Sequence, residues 1–284
     1  MESEITKEEQ LLCARAAEMA ASAEYATAAM PFLTPRERLL VHDALLRCHQ
    51  ADRAFFWGGC LGCERTMAVF LPDWRMTEPA PLPRGGYEGA FDAAREAWFA
   101  SLLREDPSLG EEIPLCALQI TGSGFAALSH RDFMGAILAL GIERSVLGEI
   151  VVTEEGALVF TTPDMAVYLT ENLTRIGRDS VRIRRTETDP FMEIPRQYEN
   201  ISVTAATPRI DGVVRALTNL SREEAAGLVR AGMVERNYNP VLDVDRQIVP
   251  GDVLTIRGYG KYRVDRTDEE TKRGRRRILC RKYK

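Results

Sequence analysis

Two short helices joined by a tight turn are the most strongly constrained feature of this sequence, and they lie near its C-terminal end. Apolar residues at helical spacing predict helices over 210–217 and 222–231. Ser221 is suited to cap the second helix, Glu224 completes a capping box, and Gly232 occupies the position where a left-handed residue ends a helix. Residues 204–284 are therefore predicted to form a domain of their own. Its predicted short strands lie near 233–236, 253–257, 262–265 and 277–280.

Helical and strand-like patterns alternate through the middle of the chain, over residues 76–187. This interleaving predicts a central α/β domain with a mixed sheet. Residues 188–203 contain Pro190, Pro195 and few periodic apolar positions, which is typical of a connector. The predicted elements of the central domain are, in order, helix 88–104, strand 115–121, helix 131–140, strands 149–153 and 158–162, helix 163–172 and strand 180–185.

The first 75 residues are predicted to be a helical region that ends in a strand. Thr34, Pro35 and Glu37 form a helix start signal, and the helix that they open is predicted to run to about His49. An apolar run over 66–71 is predicted to be the strand. The fold class is therefore α+β, with a helical region at 1–75, a central domain at 76–187, a connector at 188–203 and a C-terminal domain at 204–284.

Charge is distributed unevenly along the chain. The net charge of −5 and the pI near 5.5 argue, on average, against a nucleic-acid-binding protein. Residues 201–284, however, hold 18 Lys and Arg against 11 Asp and Glu, whereas residues 1–200 hold 19 against 31. Such an asymmetry indicates contact with nucleic acid or another acidic surface, and a solvated basic tail is the alternative.

Compartment and metal chemistry are constrained by what the sequence lacks. The longest apolar stretch, 133–142, is half of what a membrane span needs, and the acidic N-terminus has no signal region, so we expect a cytoplasmic protein without a membrane partner. Cys60 and Cys63 form the one Cys-x-x-Cys pair, with no second ligand pair at suitable spacing. We therefore predict no metal site, and the role of the cysteine pair is left open.

Motifs of catalysis are also missing from the sequence. Residues 121–124, Thr-Gly-Ser-Gly, end a predicted strand, but they lack the Lys of a P-loop and the spacing of a dinucleotide fingerprint. No nucleophile elbow, zinc-protease motif or zinc-deaminase motif is present. We therefore predict no catalytic residue and no cofactor.

A possible phosphate-binding surface is predicted in the central domain. Ser129 is suited to cap a helix whose first turn holds a histidine and an arginine, where backbone N–H groups and the helix dipole favour anions. An arginine-rich run follows on the last predicted strand. A capped helix and a solvated strand face are the alternatives. The candidate residues are His130, Arg131, Arg175, Arg178, Arg182 and Arg184.

The C-terminal helices resemble the RNA-binding domain of the ribosomal protein S-four type, the αL module. The motifs are Arg-Ile-Asp at 209–211, Leu-Ser-Arg at 220–222, Leu-Val-Arg-Ala-Gly-Met-Val at 228–234, Asn237 and Ile-Val-Pro-Gly-Asp-Val-Leu at 248–254. Three arginines converge where the two helix starts meet, and guanidinium groups bind phosphates by paired hydrogen bonds. Asp211 is expected to orient these arginines or cap a helix. Ile210 replaces the usual Leu of the module, and Arg236 occupies a position that is often apolar.

Further motifs resemble the YlmH family of bacterial RNA-binding proteins. They are Arg-Gly-Tyr-Gly-Lys at 257–261, Thr-Lys-Arg-Gly-Arg at 271–275, Ser129 to Ala136, Leu140 to Arg144, Gly58-Gly59 and Glu64-Arg65. The resemblance implies a non-catalytic protein of the large ribosomal subunit that contacts rRNA and tRNA. It further implies a role in ribosome-associated quality control, where a stalled peptidyl-tRNA is steadied during alanine tailing, and protein partners from that process. Cys60 and Cys63 depart from the family, which more often has an aromatic and a small residue there.

The resemblance and the charge pattern together predict which residues bind RNA. Four further residues are predicted to be structural or orienting: Asp211, Gly232, Gly251 and Asp252. The RNA-binding set is Arg209, Arg215, Ser221, Arg222, Arg230, Asn237, Arg257, Tyr259, Lys261, Lys272, Arg273 and Arg275, and the central-domain residues named above form the possible second RNA surface.

Two other functions are compatible with the sequence. An S-four type domain is often fused to RNA-modifying enzymes, so a pseudouridine synthase or a methyltransferase is the main alternative. Such an enzyme needs a catalytic Asp motif or a glycine-rich cofactor loop, and neither is found. A third interpretation treats the acidic N-terminal half as a protein-docking adaptor.

Overall fold

The computed structural model describes residues 5–76, 78–124, 127–271 and 274–284. The chain divides into two compact units. Residues 7–195 form the first, and residues 196–284, with residues 5 and 6, form the second.

The N-terminal part of the first unit combines helices with a small three-stranded sheet. The sheet has the strand order β1-β3-β2, and β3 pairs antiparallel with both neighbours. The capping box predicted at Thr34 is confirmed, because its side chain accepts from the Glu37 N–H while the Glu37 carboxylate accepts from the Thr34 N–H. The elements are α1 (Lys7–Ser22), β1 (Ala28–Ala29), α2 (Pro35–Arg47), β2 (Ala54–Trp57) and β3 (Met67–Phe70).

The segment predicted as one helix over 88–104 forms two helices. The chain turns at Phe91, and Asp92 caps the second helix by accepting from the Ala94 and Arg95 N–H groups. The helices that precede the central sheet are α3 (Gly86–Ala90), α4 (Ala93–Glu105) and α5 (Pro107–Glu112).

The central sheet has the chain order strand–helix–strand–strand–helix–strand, and its main strands lie in the spatial order β5-β6-β4-β8. All neighbouring strands pair antiparallel, so the prediction of a mixed sheet was wrong. Each helix does connect two parallel strands, but a third strand lies between them, as in ferredoxin-like domains. The elements are β4 (Cys116–Gly122), α6 (His130–Ala139), β5 (Leu147–Thr153), β6 (Gly156–Thr161), α7 (Pro163–Asn172), β7 (Arg175–Ile176) and β8 (Asp179–Thr186).

The two faces of this sheet are covered differently. Helices α6 and α7 cover one face, where Phe133, Ile137 and Leu169 are fully buried. Part of the other face packs against the N-terminal region, in one core that includes Phe160 of β6 and Phe55 of β2. The predicted boundary at residue 75 therefore lies inside a shared core.

Gly59 shows how closely the N-terminal region approaches the sheet. Its φ of +107° is unfavourable for residues with a side chain, and a Cβ at this position would lie 2.3 Å from the Phe160 ring. The loop after β2 can therefore lie on the sheet because it carries glycine here.

The second unit packs a helix pair on one face of a six-stranded antiparallel sheet. The sheet has the order β11-β10-β12-β13-β14-β9, and its core joins Val213 of α8 and Ala225 of α9 to Tyr262 and Ile278. The α+β class is confirmed. The elements are β9 (Tyr198–Ala205), α8 (Ile210–Thr218), α9 (Arg222–Arg230), β10 (Val234–Arg236), β11 (Asn239–Pro240), β12 (Val253–Ile256), β13 (Gly260–Glu270) and β14 (Arg276–Tyr283).

The connector predicted over 188–203 is not structureless. Its second half belongs to β9, which pairs with all eight residues of β14 and forms one edge of the sheet. The strand has a period-two pattern in which Ile201, Val203 and Ala205 face the core. This pairing partner lies about eighty residues away in sequence, so local patterns alone did not reveal it.

The helix ends of the second unit match the sequence signals. Ser221 and Glu224 form the predicted capping box, and Gly232 adopts a φ of +68° directly after α9. Across the described residues of both units, we find no helix long and apolar enough to cross a membrane.

Candidate functional site

A concave groove in the second unit brings four arginines together. One wall is the edge strand β9 with the residues that follow it, and the other wall is formed by α8 and the start of α9. We call this site the arginine groove and define it by Arg209, Arg215, Arg222 and Arg275, which all line it. The first three arginines therefore line one groove, as predicted, although Arg215 lies in the last turn of α8 and only Arg209 and Arg222 lie at the helix starts.

The side chain of Asp211 is buried next to the arginine groove and contacts two of its arginines. Its carboxylate is 5% exposed and accepts from Arg209 Nε and Nη2, each over 3.2 Å, and from the Gly212 N–H over 2.8 Å. Arg222 Nε lies 3.9 Å from the same carboxylate. The orienting role predicted for Asp211 thus matches its contacts.

Charge in the groove is predominantly positive. Arg209 also forms an ion pair with Asp245 at the surface. Its hydrogen bonds to Asp211 raise the pKa of the Arg209 guanidinium, so this group stays cationic at any physiological pH. Arg215 and Arg222 are exposed, and their guanidinium groups face solvent with donors available for an anion.

Arg275 enters the groove from the turn between β13 and β14. Its Nη2 donates to the Thr204 carbonyl over 3.0 Å, which ties the turn to the edge strand. Lys272 and Arg273, which were predicted to bind RNA from the same turn, lie outside the described residues.

The other predicted RNA-binding residues of this unit do not join the groove. Register pairs Ile256 with Gly260 and Glu270 with Arg276, so the turn that holds Arg257 and Tyr259 lies at the opposite end of β13 from Arg275. The strand separates these ends by about 30 Å. The predicted set therefore divides between two ends of the sheet.

Lys261 and Arg230 also lie away from the groove arginines. Lys261 Nζ donates to the Tyr238 hydroxyl over 3.0 Å at the far end of β13. Arg230 ends α9, the helix that Arg222 begins, and both arginines are exposed. Ser221 uses its side chain in the capping box.

Asn237 was predicted to bind RNA, but its side chain forms hydrogen bonds within the protein. Its side-chain amide donates to Asp252 over 3.0 Å, and its side-chain carbonyl accepts from the Val253 N–H over 2.8 Å. Asp252 is 3% exposed and also accepts from Arg236 Nε over 2.6 Å and from the Val249 N–H over 2.9 Å. These contacts stabilise the turn before β12, in agreement with the structural role predicted for Asp252.

One departure from the module and one predicted glycine are accounted for by the same turn. Arg236 occupies a position that is often apolar, and here it is the partner of the buried Asp252 carboxylate. Gly251 precedes that carboxylate with a φ of +93°, a conformation that glycine adopts without strain.

The central domain concentrates arginines at one end of its sheet. Val181 of β8 pairs with Gly122, the last residue of β4, so the β7–β8 hairpin with Arg175 and Arg178 lies beside the loop that leads to α6. Arg182 and Arg184 are exposed on one side of β8, as predicted. The basic residues of the predicted second surface thus come from one edge and one end of the domain.

His130 and Arg131 begin α6 after the same loop. Ser129 donates to Asp132 from its N–H over 2.8 Å and from its hydroxyl over 2.6 Å, so the helix start is capped by its own side chains. Both basic residues are exposed. The arrangement leaves their side chains directed to solvent at the helix start.

The sheet face opposite α6 and α7 is where RNA-recognition motifs of this topology stack bases on aromatic residues. In this chain the corresponding face is largely buried, since Leu158, Phe160 and Ala117 pack in the core shared with the N-terminal region. Among the described residues of this face, exposed arginines lie only on β8. The exposed basic residues of this face therefore lie at the edge of the central domain.

Cys60 and Cys63 lie side by side inside the first unit. Their sulfurs are 3.6 Å apart, both residues are almost fully buried, and the hydrogen bond between the two thiols together with burial raises the pKa of the Cys63 thiol. Within the described ranges, no group of three or more His, Cys, Asp or Glu side chains is arranged to hold a metal ion. The pair packs in the hydrophobic core.

Sequence reasoning missed one wall of the groove. Residues 202–207 line it, but 202 and 203 fell within the predicted connector and 204–207 were assigned to no predicted strand. The alternation of apolar and polar residues in β9 was the available signal. No local sequence pattern indicated that Asp245 pairs with Arg209, because Asp245 lies in a loop that is distant in sequence.

An arginine-lined groove in one unit and a ferredoxin-like domain with a basic edge in the other are both typical of RNA-binding proteins. Residues 112–190 match the family profile described as "Putative RNA-binding domain in YlmH". This stretch covers the whole central sheet and its two helices, and the chain therefore carries a YlmH-type RNA-binding domain.

Similar proteins extend the match beyond that domain. "Ribosome-associated protein quality control protein P2" of Bacillus subtilis (strain 168) is 23% identical over 254 residues, which cover 89% of this chain and 86% of the relative. The solved structure titled "Cell division protein ylmH from Streptococcus pneumoniae" is 19% identical, covers 66% of this chain and 95% of its own, and has a TM-score of 0.43. The family profile and the curated relative confirm the predicted resemblance to the YlmH family.

Proposed function

We propose that this protein binds rRNA and tRNA on the large ribosomal subunit and acts without catalysis in ribosome-associated quality control. The observation that carries the proposal is the arginine groove, in which a buried Asp211 positions Arg209 and lies near Arg222. The YlmH-type domain at 112–190 supports RNA as the ligand.

The groove suits the phosphates of structured RNA. A-form helices display little readable sequence in their deep major groove, so proteins recognise them by shape and by contacts to phosphate and ribose. Guanidinium groups bind phosphates through paired, charge-assisted hydrogen bonds. Arg215 and Arg222, which are exposed in the groove, supply such donors, and the S-four type order of motifs around them supports the same use.

A second contact comes from the central domain in this proposal. Arg175, Arg178 and Arg182 lie at one end of its sheet, beside the loop that leads to His130 and Arg131. Because the face opposite the helices is largely buried, these residues meet phosphates at the edge of the domain and do not stack bases.

The biological role follows from the relative and from the resemblance. The curated relative is named for ribosome-associated quality control. We place this protein in the same process in the cytoplasm, where it steadies a stalled peptidyl-tRNA during alanine tailing together with other quality-control proteins. No step in this role requires chemistry by the protein itself.

Crosslinking to RNA in cells, followed by sequencing of the attached fragments, tests the proposal. Reads concentrated in large-subunit rRNA and tRNA are expected, and reads spread evenly over mRNA contradict it. The non-catalytic role has its own test, because S-adenosylmethionine binding or tritium release from labelled uridine would reveal an RNA-modifying enzyme.

A further inference from the structure

The sheet of the second unit has a face that the arginine groove does not use. Tyr262 and Ile278 point into the core beneath α8 and α9, so their neighbours along β13 and β14 point to the opposite face. Register places Lys261, Tyr283 and Tyr198 in one row across this face. Arg263, Arg281 and Asn200 form the next row.

We call this surface the tyrosine face and define it by Tyr198, Lys261, Arg263, Arg281 and Tyr283. Its aromatic rings and cations alternate in contact. The rings of Tyr198 and Tyr283 have centroids 5.0 Å apart, Arg281 lies 4.9 Å above the Tyr198 ring, and Lys261 lies 4.6 Å above the Tyr283 ring. These contacts hold the flexible cationic side chains in fixed positions.

Arg281 is presented as a rigid plane. Its Nε and Nη2 bond to the Asp265 carboxylate over 2.8–3.0 Å, which neutralises its charge and fixes the guanidinium orientation. The side chain remains 37% exposed. A guanidinium plane held in this way stacks on an unpaired base as an aromatic ring does.

Arg263 supplies a charge that the protein leaves uncompensated. It lies directly opposite Arg281 on the neighbouring strand, an arrangement of like charges that destabilises a sheet. Asp265 neutralises Arg281, whereas Arg263 is exposed and forms no ion pair or hydrogen bond with the residues that the structure describes. An external anion at Arg263 relieves this repulsion.

We infer that the tyrosine face binds an unpaired stretch of RNA, separately from the arginine groove. Phosphates pair with Arg263 and Lys261, while bases stack on Arg281 and the tyrosine pair. Alternating cations and aromatic planes are the means by which proteins hold single-stranded nucleic acid without reading its sequence. An acidic peptide would contact only the cations of the tyrosine face and would leave its aromatic rings without a partner, so RNA fits the surface better. The inference rests on the proposed function, since it adds a second class of RNA site to an RNA-binding protein.

Binding of labelled oligouridine to the full-length protein, followed by fluorescence anisotropy, tests the inference. Tyr198→Leu is expected to weaken oligouridine binding at least about fivefold, as expected for the loss of one stacked base. Tyr198→Phe keeps the ring and is expected to bind within about twofold of the wild type. An abasic oligomer of equal length is expected to bind more weakly than oligouridine.

The contribution of positive charge to oligouridine binding is tested with a matched control variant in the first unit. Arg263→Ala is expected to weaken oligouridine binding, whereas Arg15→Ala, which removes an exposed arginine from α1, is expected to leave it unchanged. Because Arg263 is exposed, its substitution by alanine should leave the fold intact. This variant therefore tests the inference even where Tyr198→Leu fails to fold. Equal binding of the abasic oligomer, or equal effects of the two arginine substitutions, overturns the inference.

A structured RNA hairpin separates this inference from the proposed function. Arg222→Ala is expected to weaken hairpin binding and to spare oligouridine, the reverse of Arg263→Ala. Hairpin binding without oligouridine binding overturns the tyrosine face alone. Failure to bind either RNA overturns the proposed function as well.

Discussion

The Asp211 carboxylate accepts two hydrogen bonds from the Arg209 guanidinium, each over 3.2 Å, while itself remaining 5% exposed. A buried carboxylate in a groove proposed to bind phosphates would repel that ligand, so its presence needs a compensating role. Here it fixes the direction of one arginine and lies 3.9 Å from a second, Arg222. The groove is therefore preorganised before any anion arrives.

Arg222→Ala is expected to weaken binding of a structured RNA by roughly tenfold, because a charge-assisted contact is lost. The free energy of unfolding should change by less than about 0.5 kcal/mol, since this side chain is 77% exposed. Arg230→Ala is the matched control, an exposed arginine at the other end of the same helix, and should cost less affinity. Filter binding and urea unfolding measure both quantities. Equal losses of affinity for the two variants contradict the groove assignment.

Salt dependence reports how many phosphates the groove contacts. Each contact to duplex RNA releases a counterion, so the logarithm of the binding constant should fall linearly with the logarithm of salt concentration. Replacing Arg215 with alanine should reduce the slope by roughly 0.9. A titration of affinity against potassium chloride measures this change. An unaltered slope means that Arg215 does not meet a phosphate.

Asp252→Ala is expected to destabilise the second unit by about 3 kcal/mol, because Arg236 and Asn237 lose their shared buried partner. Asp268→Ala removes the exposed partner of Arg266 and should cost less than about 1 kcal/mol. Urea unfolding followed by circular dichroism distinguishes them. Similar costs for the two variants would show that the Asp252 network is not a stabilising element.

Two glycines of the same helix region should respond to alanine with opposite signs. Gly232 has a φ of +68°, so Gly232→Ala should destabilise by about 1 kcal/mol through strain. Gly227 lies within α9 with open space around it, and Gly227→Ala should stabilise by about 0.5–1 kcal/mol. Thermal unfolding of both variants checks the signs. Stabilisation by Gly232→Ala contradicts the observed helix end.

His42 should make stability depend on pH. Burial lowers the pKa of His42, whose Nε2 lies 2.6 Å from the Arg84 carbonyl oxygen, so the folded protein holds the ring neutral. Below about pH 6.5 the unfolded chain binds a proton that the folded protein resists, and stability falls. His42→Gln keeps a donor but does not titrate. The wild type should therefore lose stability relative to this variant between about pH 7 and pH 5, as measured by urea unfolding, and a constant difference refutes the assignment.

Local signals in the sequence predicted the helix starts accurately. The capping boxes at Thr34 and Ser221 and the helix end at Gly232 were found from residues within four positions of one another. Such contacts are made inside a single turn of chain, so the sequence contains every partner. The alternation on β8 was predicted for the same reason.

Pairing between distant segments was decided by the tertiary structure. Local alternation did not show that β6 lies between β5 and β4, nor that residues 198–205 pair with residues 276–283. These outcomes depend on which surfaces can be buried together.

The sequence by itself determined the helix caps, the α+β class, the basic C-terminal end and the three arginines of the two helices. Tertiary structure decided which basic residues share a surface. It joined Arg275 to the groove through an edge strand, moved Arg257 and Tyr259 to the far end of β13, and created the tyrosine face from three strands. The physical reason is that a cap is formed by near neighbours, whereas a binding surface forms only where strand register brings distant side chains to one face.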